Sequence, residues 1–250
     1  MKEKRKGLVF LKHLLYPRRC PACDGLLEPD ERILCNSCER QVKRTGDVVC
    51  VICGKSLGRV EDDICGDCRR GHAFTGGRAL YRYEGRMKEA MYRFKYENRR
   101  CYADSFALEA KEQYGELLQA WGIECIVPIP MYKVKERKRG YNQAKVFAKA
   151  LAGQFGLPME ELLYRAQDTP PMKGLSPEVR RDNVKNAFHM KRSAVQFNRI
   201  LLVDDIYTTG ATMDAAAGAL LRNGITSVYA MYVCIGEGNG LVRVDDNKCF

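Results

Sequence analysis

The chain has 250 residues, 46% of them hydrophobic and 29% charged, and a formal net charge of +11. That suits one or two globular domains with a full core, and no apolar run approaches the roughly eighteen residues of a membrane span, so no transmembrane segment is expected. The positive balance favours a polyanionic partner (nucleic acid, anionic lipid or a pyrophosphate-bearing substrate) without choosing among them.

Residues 1–17 begin basic and turn apolar, but Lys12 and His13 interrupt the apolar part and no small-residue cleavage site follows. They read as a basic amphipathic segment, not an export signal. The expected location is the cytoplasm, with peripheral membrane association as the alternative.

Eight of the twelve cysteines form four Cys-x-x-Cys pairs. Cys20, Cys23, Cys35 and Cys38 are followed by Cys50, Cys53, Cys65 and Cys68 with identical spacing, an internal repeat. Each pair forms a knuckle that places two sulfurs within reach of one metal, and two knuckles close a tetrahedral zinc site. Disulfides would need an oxidising compartment, which nothing else in the chain supports. Two structural zinc sites are expected within a small Cys-rich domain at 18–75. Eleven residues separate each knuckle from the next, so sequential and interleaved ligation both remain open. Sequential ribbons close shorter loops and are preferred. His72, four residues past Cys68, reads as a surface histidine, not a ligand.

Residues 78–84 alternate as a strand does. Met87, Ala90, Met91 and Phe94 then recur at helical spacing, and Arg86, Lys88, Arg93 and Lys95 make the opposite, basic face. That face is either solvated or phosphate-binding. A further helix is expected over 103–120, with Phe106, Ala110, Leu117 and Leu118 inward. Residues 124–130 form an apolar strand that prolines end. Residues 133–139 carry five basic side chains and one acid and are expected as a loop. A helix follows, with Ala144, Phe147, Ala148, Leu151, Ala152 and Phe155 on one face. Ligands of open α/β sheets bind at the carboxyl ends of strands, so this basic segment should face whatever the later motif binds. Ser176-Pro177 has the form of a helix start, and 186–190 suits a strand.

Ile200-Leu201-Leu202-Val203 then runs into Asp204-Asp205, and Thr208-Thr209-Gly210-Ala211-Thr212 opens a helix. Gly210 lets backbone approach an anion, the hydroxyls and successive N–H groups form a nest, and the helix dipole favours negative charge. Paired acids beside a phosphate site suit sugar hydroxyls, with or without a divalent cation. A helix to about Arg222, a Gly224 cap and a strand over 227–235 complete a βαβ unit, right-handed by rule. Residues 237–250 form a Gly-rich, then charged tail.

This stretch resembles the phosphoribosyl-pyrophosphate (PRPP) motif of type I phosphoribosyltransferases. Val127-Pro128-Ile129-Pro130, then Arg139-Gly140-Tyr141-Asn142-Gln143, resembles the signature of the ComF family, bacterial competence-associated proteins that join a zinc ribbon to a phosphoribosyltransferase-like domain. The block Arg165, Asp168-Thr169-Pro170, Leu175, Arg180, Asn183 and Ala187-Phe188 agrees; Met172 stands where the family usually has glutamine. The resemblance implies an α/β fold, type I phosphoribosyltransferase-like, with a mostly parallel sheet flanked by helices over 76–236. It implies chemistry at the anomeric carbon of PRPP, or binding of another phosphoribosyl compound. Asp204 and Asp205 would hold the ribose hydroxyls, and Thr208, Thr209, Gly210, Ala211 and Thr212 the 5′-phosphate. Arg137, Lys138 and Arg139 would grip pyrophosphate with Mg2+. Asp204, Asp205 and Arg139 are the candidate catalytic residues; the acceptor stays open. The rival reading is a non-catalytic adaptor of DNA uptake that binds single-stranded DNA or a competence helicase. The basic-aromatic run Tyr92-Arg93-Phe94-Lys95-Tyr96 favours it only weakly, because Phe94 belongs to a core face.

Overall fold

A computed structural model describes residues 17–58, 62–166, 187–191 and 196–236. The expected N-terminal amphipathic segment up to Tyr16, the stretch from Asp168 to Asn183 with Met172 and the Ser176-Pro177 helix start, and the tail at 237–250 lie outside the described residues.

Four parallel strands form the central sheet: β1 (Gly76–Arg82), β2 (Cys125–Pro128), β5 (Arg199–Tyr207) and β6 (Ser227–Ile235), in the order β1-β6-β5-β2. Ile126 pairs with Leu201, Val203 with Met231, and Tyr81 with Cys234. The expected strand at 186–190 forms as β4 (Phe188–Met190), but it pairs with β3 (Leu163–Arg165) in a separate antiparallel ribbon. Between the strands run α2 (Gly85–Tyr96), α3 (Tyr102–Trp121), α4 (Lys133–Arg139), α5 (Gln143–Phe155) and α6 (Ala211–Leu221); a short α1 (Asn36–Glu39) lies in the cysteine-rich part.

The near-continuous apolar strands are explained by burial on both faces. Alternation in β5 sends Leu201 and Val203 to one hydrophobic cluster, and Ile200 and Leu202 to the other. The first cluster includes Met87, Met91 and Phe94 of α2, Phe106 of α3 and Phe147 of α5. The second holds Met213, Ala216 and Leu220 of α6 and Phe188 of β4. The helical faces read from spacing are the buried ones, although Leu117, Ala152 and Phe155 are only half-buried. α3 departs from helical geometry at Tyr114 (φ −131°, ψ 15°).

The cysteine-rich segment straddles this sheet. Cys20, Ala22 and Cys38 join the first cluster; Cys50, Cys53 and Cys68 join the second. The chain between them runs along the free edge of β1. Arg44 bridges Tyr81 in antiparallel sense, the Arg82 N–H donates to Lys43 O (2.9 Å), and the Thr45 hydroxyl donates to Ala79 O (2.9 Å). Arg44 also reaches buried Glu109 of α3 (2.6 Å), which accepts from the Tyr81 hydroxyl (2.9 Å). An edge strand that would otherwise template aggregation is thereby covered.

One local expectation is corrected. Residues 133–139 are the helix α4, not a loop. The segment contains good helix formers and neither Gly nor Pro. Gly140, at φ +87°, ends it in the left-handed conformation, and its N–H donates to Glu136 O at 2.7 Å.

Candidate functional site

The eight cysteines gather as two groups, Cys20/Cys23/Cys35/Cys38 and Cys50/Cys53/Cys65/Cys68, each with its sulfurs within 4.8 Å of one another. Ligation is therefore sequential, as preferred. Sulfurs at the corners of a zinc tetrahedron with Zn–S near 2.3 Å stand about 3.8 Å apart. Cys23 and Cys35 are 3.7 Å apart and Cys53 and Cys65 3.6 Å, which fits zinc and not a disulfide at about 2.05 Å. The cysteines thus hold two closed structural sites.

At the carboxyl end of β5, adjacent side chains point to opposite faces. Asp204 lines a cavity of about 60 Å³ with Ile206, residues 207–213 and Tyr232. Asp205 lies on the other side, in an ion pair with Lys95 from the last turn of α2 (3.0 Å). Burial first, and the neighbouring Asp205 second, push Asp204 up to about 7; Lys95 and Arg165 oppose this. Burial lowers the Lys95 ammonium, but the carboxylates of Asp205 and Asp204 outweigh it and raise the pKa overall. Asp204 Oδ1 accepts the N–H of Asp205 at 2.8 Å.

The loop beyond β5 leaves the start of α6 without a side-chain cap. Gly210, at φ +81°, stands at the N-cap of α6 with no side chain capping the helix. The first N–H groups of a helix have no intrahelical acceptor, and Ala211 and Thr212, which carry two of them, line the cavity at the positive end of the helix dipole. Thr208 and Thr209 are exposed, and Ala211 and Thr212 half-buried. A Cβ on Gly210 would lie 2.5 Å from the Tyr207 hydroxyl, so a larger residue there meets Tyr207 and strains the left-handed backbone.

The Arg-Gly-Tyr-Asn-Gln signature becomes a mechanical device. Gly140 ends α4. The buried Tyr141 hydroxyl donates to Phe94 O of α2. Asn142 caps α5, accepting from the Ala144 N–H (3.0 Å), and donates to Ile129 O (2.9 Å) beyond β2. Buried Gln143 accepts from Arg139 (3.0 Å). Arg139 also lies over the Tyr96 ring, 5.1 Å from its centroid. The motif thus fixes Arg139 beside the end of α2, next to Lys95. Arg137 and Lys138 are exposed and take no ion pair among the described residues.

Three residues take partners that the sequence does not show. Lys95 belongs to a basic face that sequence leaves open between solvent and phosphate, and it is the cation held against Asp205. Arg93 on that face also turns inward, donating to Ala22 O at 2.7 Å. His72 is not a surface residue. Its side chain is 6% exposed, and Nδ1 lies 2.8 Å from Asp214 Oδ2 on the first turn of α6. Only the fold could show these, since all three partners are distant in sequence.

Residues 142–250 match the phosphoribosyl transferase domain family, and residues 11–69 the double zinc ribbon domain family. The fold and both matches define a phosphoribosyltransferase-like protein carrying paired zinc ribbons. The chain is 30% identical to Competence protein F of Haemophilus influenzae over 84% of its own length and 93% of that protein. It is 29% identical to Competence protein ComFC of Bacillus subtilis, over 84% of this chain and 86% of that protein. With DNA utilization protein YhgH of Escherichia coli K12 it shares 33% identity over 44% of this chain and 48% of that one. The chain belongs to the ComF family of competence proteins. Among the described residues no helix is long and apolar enough to cross a membrane.

Proposed function

We propose that the chain binds PRPP, with its 5′-phosphate on the Thr208–Thr212 loop, its ribose hydroxyls at Asp204 and Asp205, and its pyrophosphate toward Arg139 and Lys95. The observation that carries this reading is the uncapped start of α6 beside two carboxylates, with fixed cations across the mouth of the sheet. No protein nucleophile is needed at the anomeric carbon. Lys95 and Arg139 stabilise charge that develops on departing pyrophosphate, and Asp204 and Asp205 orient the ribose. The oxygen-rich donor set of carboxylates and hydroxyls suits Mg2+, which when bound would neutralise diphosphate charge. The structure names no acceptor, and transfer to one is part of the proposal.

Calorimetric titration of PRPP with Mg2+ into wild type and into Asp204→Asn/Asp205→Asn tests binding; heat with wild type and none with the variant is expected. Undetectable binding to wild type defeats the proposal. Pyrophosphate release in a screen of acceptors tests transfer.

A second reading, single-stranded DNA binding in the competence machinery, gains support from Tyr92 and Tyr96. Both are exposed, at 58% and 59%, with ring centroids 5.1 Å apart. Such rings, flanked by Arg139, suit base stacking. Affinity for an oligonucleotide should fall steeply with salt if phosphates are contacted; a flat slope counts against it.

A further inference from the structure

The second ribbon reaches the phosphate loop through one side chain. After Cys68 the chain makes a 3-10 turn (Cys68–Arg70), reverses at Gly71 (φ +77°) and delivers His72. Nδ1 of His72 lies 2.8 Å from Asp214 Oδ2, and the neighbouring Ala73 N–H donates to Asp214 Oδ1 at 2.9 Å. Asp214 sits in the first turn of α6, directly behind the loop. The ring edge stands beside the loop itself: a Cβ on Gly210 would lie 2.8 Å from His72 Cε1. The ring is also tilted against Phe74, centroids 4.9 Å apart, and Phe74 meets Tyr207 edge-on at 6.3 Å.

His72 Nε2 is buried and has no hydrogen-bond partner. An unpaired buried polar atom costs about 1–3 kcal/mol. The ring is therefore held for its other contacts, to Asp214 and Gly210, and not to satisfy itself. The ribbon behind it is closely packed on the sheet. A Cβ on Gly54, in its first knuckle, would stand 2.8 Å from Gly77 O of β1, so ribbon and sheet meet backbone to backbone.

The geometry points to His72 as a positioning residue for the phosphate loop: through Asp214 and Gly210 it fixes the start of α6 against the second zinc ribbon, so that the loop is preorganised for a phosphoribosyl phosphate. This rests on the PRPP reading above. The zinc ribbon then has a role at the site beyond folding, because it supplies the anchor.

The test uses the zinc-loaded full chain. Affinities for ribose 5-phosphate and for inorganic pyrophosphate are measured by calorimetry on wild type, His72→Ala and His72→Asn. The Asn amide nitrogen can replace Nδ1 as donor to Asp214. His72→Ala should weaken ribose 5-phosphate about tenfold, as expected for losing one hydrogen bond to a charged group, and leave pyrophosphate within about twofold. His72→Asn should recover most of the loss. Equal weakening of both ligands, or no recovery with Asn, marks a merely structural role and overturns the inference. Unchanged ribose 5-phosphate affinity in His72→Ala overturns it outright. Failure of wild type to bind ribose 5-phosphate or PRPP would refute the PRPP reading as well, which separates the two failures.

Discussion

Replacing Asp204 by asparagine should make the protein more stable at alkaline pH. Burial and Asp205 raise this carboxyl from its ordinary 3.8 to about 7. A raised acid binds its proton more tightly in the folded state, so stability is lost as pH rises above 3.8 and through 7. The full displacement corresponds to an upper bound of about 4 kcal/mol, at about 1.4 kcal/mol per tenfold. Roughly 2 kcal/mol of it falls between pH 5.5 and 8.5. Asn is isosteric, and its Oδ1 can still accept the Asp205 N–H that Asp204 accepts at 2.8 Å. The assay is urea unfolding of both proteins across that window, with zinc present throughout. Zinc-thiolate protonation is common to both and cancels in the difference. The variant should gain about 2 kcal/mol relative to wild type from pH 5.5 to pH 8.5. Parallel stability profiles, or a variant that loses ground at pH 8.5, would refute the reasoning.

Lys95→Met leaves the half-buried Asp205 without the ammonium now 3.0 Å away, and should cost about 3 kcal/mol at pH 8 by urea unfolding; a loss under about 0.5 kcal/mol would mean the pair is solvent-screened. Gly210→Ala must accommodate a methyl 2.5 Å from the Tyr207 hydroxyl at φ +81°. It should lose more than about 1 kcal/mol of stability and bind PRPP more weakly, and a neutral result would show that the loop relaxes freely. Elemental analysis should return two zinc per chain, one for each four-cysteine group. Prolonged chelation should unfold both ribbons, because metal binding and folding are one equilibrium there; retention of native near-ultraviolet dichroism without metal would contradict that.

Much of this protein was written locally. The cysteine spacing specifies two metal knuckles per ribbon whatever surrounds them. Met87, Ala90, Met91 and Phe94 had to form one buried face because helical period leaves no other choice. The run from Ile200 to Thr212 encodes strand, turn and helix start through apolar continuity and one glycine. The resemblance carried by Arg139 to Gln143 pointed to the correct family. The helix at 133–139 was missed because a run of like charge resembles a solvated loop; its helix propensity and the Gly140 stop were the available signals.

Tertiary structure decided what distance along the chain conceals. Equal gaps between knuckles left ligation open, and only the folded grouping made it sequential. Strand alternation placed Asp204 and Asp205 on opposite sides of the sheet, and packing of α2 brought Lys95 to one of them. The pKa of Asp204 is a property of burial, which no local pattern states. His72 and Asp214 are 142 residues apart, and their pairing depends on a ribbon seated against the sheet by Gly54 and Gly77. Sequence determined which cysteines can hold zinc and which acids and hydroxyls stand at the end of β5. The fold alone determined which charges meet, because meeting requires long-range contacts whose partners share no local period.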